Sequence, residues 1–103
     1  MEQRETVTRE NSQIREELKE PKMYVVHVLN DDMTTFDFVV SVMMGVFHKS
    51  EEDAWAIAER THQQGKAVVG RYSYDMAHTK VNKAVSLARE NGFPLRFKIN
   101  PEP

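Results

Sequence analysis

Three consecutive side chains, Asn30-Asp31-Asp32, offer amide and carboxylate oxygens in one short polar run. Oxygens of this kind accept hydrogen bonds, and a set that converges on one point can hold a cation. His62 is the candidate to stand with them. The same residues also fit a plainer description, an Asx turn opening a helix and a histidine satisfied on a helix surface. A third reading pairs Asp31 or Asp32 with His62 in a small hydrolase, but no recognisable nucleophile, oxyanion donor or metal set accompanies them.

Other chemistries are missing their parts. Gly65-Lys66 has no upstream glycine at phosphate-loop spacing. His27, His48, His62 and His78 form no His-Glu-x-x-His pair, so neither a metal nor another cofactor is expected. Ser12, Ser41, Ser50, Ser73 and Ser86 lack the setting of a nucleophile elbow. There is no cysteine, which removes disulfides, thiolate zinc sites and a Cys nucleophile together and suits a reducing compartment. A non-catalytic binding module is therefore expected rather than an enzyme.

Composition narrows the partners. The 103 residues fit one domain, and the 40% hydrophobic and 29% charged content is that of a globular protein. A chain of this size has one modest core, and a shallow surface pocket suits it better than an enclosed cavity. Net charge is −2; four basic and six acidic residues lie in 1–21, and ten of each follow. Neither part has the basic excess needed to displace counterions from phosphates, so nucleic acid is not an expected partner. No apolar run approaches the ~18–20 residues of a membrane span. The opening MEQRETVTRE lacks the apolar stretch of a secretory signal, and the cytoplasm is the expected location.

The elements that must position the polar cluster begin after Pro21. Residues 1–21 have no aromatic residue and are rich in Glu, Gln, Arg and Thr, which predicts a flexible N-terminal extension ahead of a core at 22–103. Met23 to Leu29 is β-branched and aromatic and predicts a strand that stops at Asn30-Asp31-Asp32. Thr34-Thr35-Phe36-Asp37 reads as a capping box, with Thr34 as N-cap and Asp37 reaching back. Phe36, Val39, Val40, Met43 and Phe47 then form the buried face of a first helix. Ser50-Glu51-Glu52-Asp53 opens a second helix with Ala54, Ile57, Ala58 and Thr61 inward, ended by Gly65. Trp55 falls off that stripe, which predicts a half-packed surface aromatic rather than a recognition residue. A second strand covers Lys66 to Tyr72. Ser73 caps a third helix whose stripe is Ala77, Val81, Ala84, Val85 and Ala88; Gly92 and Pro94 end it. Leu95 to Ile99 alternates as a third strand. The order β-α-α-β-α-β implies an open α/β sandwich of the α+β kind, a three-stranded antiparallel sheet covered on one face by three helices.

Several pieces in this order resemble the ClpS family. They are Met23-Tyr24; Val28-Leu29-Asn30-Asp31-Asp32-Met33-Thr34; His62-x-Gln64-Gly65-Lys66-Ala67; Ala77-x-Thr79-Lys80-Val81; Ala88-Arg89-Glu90-Asn91; and Pro94-Leu95. The resemblance covers residues 21 to 97. It implies an N-degron adaptor that binds the free α-amino group of a cargo protein and passes the cargo to a Clp AAA+ ATPase, of ClpA or ClpC type, with its ClpP peptidase. Asn30, Asp31 and His62 would take the amine, His62 directly or through a water. Val28, Asp32, Met33, Thr34, Phe36, Val39, Ala58, Thr61 and Leu95 would surround the peptide and its first side chain. Asp75, His78 and Lys80, exposed on the first turns of the third helix, would face the ATPase. The flexible extension would engage the ATPase during delivery.

This chain departs from the family's pattern inside the pocket. Phe36 and Ala58 stand where methionines are usual, and Thr61 replaces a Val. Preference for large apolar or aromatic first residues is expected to survive with a changed ranking. Fold order alone also admits a protein-interaction domain like that of the ribosomal stalk, which would ignore chain termini.

Overall fold

The computed structural model describes residues 21–103. Strand β1 (Met23–Leu29) runs through the middle of one sheet because it has two partners. It pairs antiparallel with β2 (Lys66–Ser73) and with β3 (Arg96–Pro101), giving the order β2-β1-β3. Side chains of a strand alternate between faces. Val26 and Val28 enter the core and are fully buried. Val25, His27 and Leu29 face the other way, in register with the exposed Arg71, Lys98, Lys66 and Arg96. Between Val26 and His27 the register slips, and Val69 stands as the extra residue of a bulge.

His27 is held neutral by this arrangement. Partial burial first, then Lys66 and Lys98, push its imidazole below the ordinary histidine value. Its Nδ1 is shielded from solvent and has no hydrogen-bond partner among the described residues.

Three helices cover the inner face: α1 (Phe36–Gly45), α2 (Glu51–Gln64) and α3 (Tyr74–Glu90). α3 touches all three strands, while α2 lies against β2 and α1. The α+β sandwich implied by the sequence is the one observed. Ser50 Oγ accepts from the Asp53 amide at 3.1 Å, and Ser73 Oγ accepts from the Met76 amide at 3.3 Å, so both expected caps are in place. At Gly65 the backbone turns left-handed, with φ 89°, and its amide closes α2 on the Thr61 carbonyl at 2.9 Å. Asn91 caps the end of α3, and Gly92 follows with φ 78°. Arg89 Nη1 then donates to the carbonyls of Phe93, at 2.8 Å, and Leu95, at 3.0 Å, tying the turn to β3.

The start of α1 differs from the capping-box expectation. Thr35, not Thr34, is the N-cap, its Oγ1 accepting from the Phe38 amide at 3.2 Å. Asp37 is then the second helical residue rather than the third and does not reach back to close a box. Thr34 instead belongs to the preceding turn, its hydroxyl and amide both donating to Asp31. The buried face of this segment is also shifted. Val39, Val42 and Met43 are buried within the helix, with Val46 and Phe47 just beyond it, whereas Phe36 and Val40 are half-buried. In α2 the inward set is Ala54, Ile57, Ala58 and Thr61, as expected; in α3 Ala77, Ala84 and Ala88 are buried, and Val81 and Val85 half-buried. The expected extension, residues 1–21, lies outside the described residues except for Pro21.

Candidate functional site

The loop from β1 to α1 is built by one carboxylate. Asp31 Oδ1 accepts from the amides of Met33, at 2.8 Å, and Thr34, at 2.7 Å. Asp31 Oδ2 accepts from the Thr34 hydroxyl at 2.8 Å. Partial burial pushes the Asp31 carboxyl up, but the bonds from Thr34 and Met33 and the nearby Arg96 outweigh it and hold the group below its ordinary value. Asp31 is therefore a carboxylate at neutral pH. An Asx-type turn is present, so the plain reading of this run is correct as far as it goes.

The turn also faces a cavity. A hollow of about 330 Å³ opens between this loop and the helices, lined by Asn30, Asp31, Asp32, Thr34, Phe36, Val39, Ala58, Thr61 and His62. Asn30 and His62 reach the same rim because the Asn30 amide donates to the Gly65 carbonyl at 2.8 Å, joining the exit of β1 to the end of α2. The lining of the hollow thus combines amide, carboxylate and imidazole groups with aromatic and aliphatic carbon. A volume of this size holds one large side chain, at the small end of ligand pockets.

Not every expected pocket residue lines it. Val28 and Leu95 are buried in the core, and Met33, 66% exposed, points away into solvent. Thr61 lines the hollow, and its hydroxyl donates to the Ile57 carbonyl of its own helix at 2.7 Å, so it offers the hollow an acceptor oxygen but no free donor. Trp55 is exposed on α2, and its ring lies 4.7 Å from that of Phe36. Sequence reading did not connect these two rings, since they are on different helices. Arg96 beside Asp31 was missed for the same reason; it arrives from β3.

Asp75, His78 and Lys80 share the start of α3 but are not all free. Asp75 is exposed, whereas His78 and Lys80 are half-buried, which corrects the expectation that all three are exposed. The His78 ring lies 4.3 Å from that of Tyr74. Lys80 Nζ donates to the Val46 carbonyl at 3.3 Å, at the end of α1, and stands 5.8 Å from the Tyr72 ring centre. Among the described residues no cluster of His, Asp or Glu is fit to hold a metal ion, and no helix is long and apolar enough to cross a membrane.

Known proteins share both the sequence pattern and the shape. The family model for the ATP-dependent Clp protease adaptor protein ClpS matches residues 19–98. The ClpS adapter of Acetivibrio thermocellus is 48% identical over 86 residues, covering 84% of this chain and 87% of its own. That of Nautilia profundicola is 50% identical over 76 residues, covering 74% and 78%. Among solved structures, Agrobacterium tumefaciens ClpS2 bound to L-phenylalaninamide superposes with a TM-score of 0.77 at 42% identity, covering 81% of this chain and 100% of that one. A polar turn and an apolar hollow on a β-α-α-β-α-β sandwich, with a family match across nearly all of the described residues, lead to one conclusion: the chain belongs to the ClpS family, adaptors of the ATP-dependent Clp protease and not enzymes.

Proposed function

We propose that this adaptor binds N-degron cargo, gripping the free α-amino group and a bulky hydrophobic first side chain, and delivers it to a Clp AAA+ ATPase for degradation. The observation that carries the reading is the shared cavity. Asn30, Asp31 and His62 line it together with Phe36, Val39 and Ala58. An α-amino group has a pKa near ~7.7–8.0, so much of it is cationic at neutral pH. Hydrogen bonds to such a cation are about twice as strong as neutral ones. Asp31 keeps its charge, and its three internal bonds leave Oδ2 a free lone pair for the amine. Transfer of a Leu or Phe side chain onto the apolar part of the lining adds roughly 1.5–3 kcal/mol. The phenylalaninamide bound to Agrobacterium tumefaciens ClpS2 carries both features, a free α-amino group and a benzyl side chain, which supports the reading.

The remaining steps of the proposal concern delivery. The ATPase is of ClpA or ClpC type working with ClpP, and it meets the surface around Asp75, His78 and Lys80. The extension before residue 22 assists the transfer. The work takes place in the cytoplasm.

A direct test compares two peptides that begin with Phe and differ only in acetylation of the first nitrogen. The free peptide is expected to bind at least tenfold more tightly, and Asp31→Ala to remove most of that difference. Equal affinity for the two peptides would sink the reading.

A further inference from the structure

Trp55 is tied to the cavity without entering it. Its indole is 51% exposed, and its ring centre stands 4.7 Å from that of Phe36 with the planes tilted by 59°. Phe36 lines the cavity and Trp55 does not, so the indole is linked to the cavity wall through its contact with Phe36. Ala58, three residues after Trp55 on α2, also lines the hollow and offers only a methyl group beside that wall.

Phe36 needs such a support. It is the first residue of α1, immediately after the Thr35 cap, and is only half-buried. A ring in the opening turn of a helix has few neighbours of its own element to select its χ1 rotamer. The small Ala58 side chain leaves room for movement on the cavity side. An aromatic partner at this separation and tilt supplies the missing restraint, since ring pairs favour offset or tilted arrangements with centres about 4.5–7 Å apart.

We propose, on the basis of the N-degron reading above, that Trp55 is a specificity-positioning residue: it holds the Phe36 ring in the cavity wall and so favours an aromatic first residue over an aliphatic one. A fixed ring meets an incoming Phe, Tyr or Trp side chain with its own quadrupole, an interaction that Leu lacks. A ring free to swing offers both kinds of side chain the same average hydrocarbon surface. Trp55 acts through Phe36, so it sets the ranking of side chains and leaves the grip on the amine alone.

The test uses the full chain, three free-amine peptides that begin with Phe, Leu or Gly, and the acetylated form of the Phe peptide; all are otherwise identical and contain no tryptophan. Trp55→Ala and Trp55→Leu are expected to lower the Phe-to-Leu affinity ratio about two- to tenfold, and Trp55→Phe to retain most of it. Because Trp55 is the sole tryptophan, its fluorescence in the unmodified chain is expected to change more with the Phe peptide than with the Gly peptide. Trp55→Leu keeps apolar bulk on α2, so it reports on the ring even if the alanine variant folds poorly. An equal loss for the Phe and Leu peptides in Trp55→Leu would mean a purely structural role and overturn the proposal. An unchanged ratio, in a variant that still prefers free over acetylated peptide, would overturn it alone. Failure of the unmodified chain to prefer the free amine would overturn the N-degron reading and this proposal with it.

Discussion

The amide of Asn30 and the carbonyl of Gly65, 2.8 Å apart, bring two halves of the site together. Asn30 follows the central strand and Gly65 caps α2, so this one bond sets the polar turn beside His62. Gly65 can occupy that corner because a left-handed φ of 89° costs it nothing, whereas a side chain pays about 1–2 kcal/mol there.

Gly65→Ala is therefore expected to lose about 1–2 kcal/mol of stability from backbone strain alone, since an added Cβ would meet no atom within 4 Å. Peptide affinity should fall at least threefold as His62 shifts relative to Asn30. Chemical denaturation and peptide titration on the same variant check both parts, and unaltered affinity would show that the corner does not position the site.

The two adjacent threonines have separable tasks. Thr35→Ala removes the α1 cap and is expected to cost about 1 kcal/mol of stability with little change in peptide affinity. Thr34→Val removes the hydroxyl that Asp31 accepts and should weaken peptide binding several-fold while melting close to the unmodified chain. The reverse pattern would return the cap to Thr34.

That pair also marks where the sequence was legible and where it was not. Gly65, Ser50 and Ser73 act through local backbone geometry, and residue type with spacing is enough to locate them. Thr34 and Thr35 are equal candidates by type; the choice depends on Asp31, whose side chain takes one of them first. The sequence stripe of α1 omitted Val42, which is fully buried because it lies three residues after Val39 and four before Val46 and so shares their face. The stripe took in Phe36 and Val40 instead, which sit at the half-buried margin of that face. Asn30, Asp31 and His62, the trio proposed to take the amine, were legible as a family pattern and as a set of acceptors, and the three do share a cavity. The engagement of Lys80 and the contact of Trp55 with Phe36 are long-range and leave no mark in local periodicity.

His27 gives the fold a pH dependence. Its folded pKa lies below the unfolded value, so the unfolded chain holds more protons between the two. Stability from this group is complete above about pH 6.5 and declines as pH falls from there through the folded value. Melting temperature is expected to drop between pH 7.5 and 5.5, and His27→Leu to flatten part of that slope. Identical slopes for both proteins would exclude His27 as the cause.

Lys80 is expected to serve α1 as well as any partner. Its ammonium donates to the carbonyl at the end of that helix, where a cation is favoured. Lys80→Ala should lower stability by about 0.5–1.5 kcal/mol, so loss of ATPase binding by this variant is interpretable only beside its melting curve. Asp75→Ala, which changes an exposed side chain with no bond to α1, should weaken ATPase binding without a shift in melting.

The three bonds that Asp31 accepts have a kinetic meaning. They hold the turn between β1 and α1 in one shape, so on the N-degron proposal little ordering entropy remains to be lost when cargo binds. A preorganised mouth of this kind admits ligands at a rate set by encounter rather than by rearrangement. Differences in affinity among first residues should then appear almost wholly as differences in how long each cargo stays.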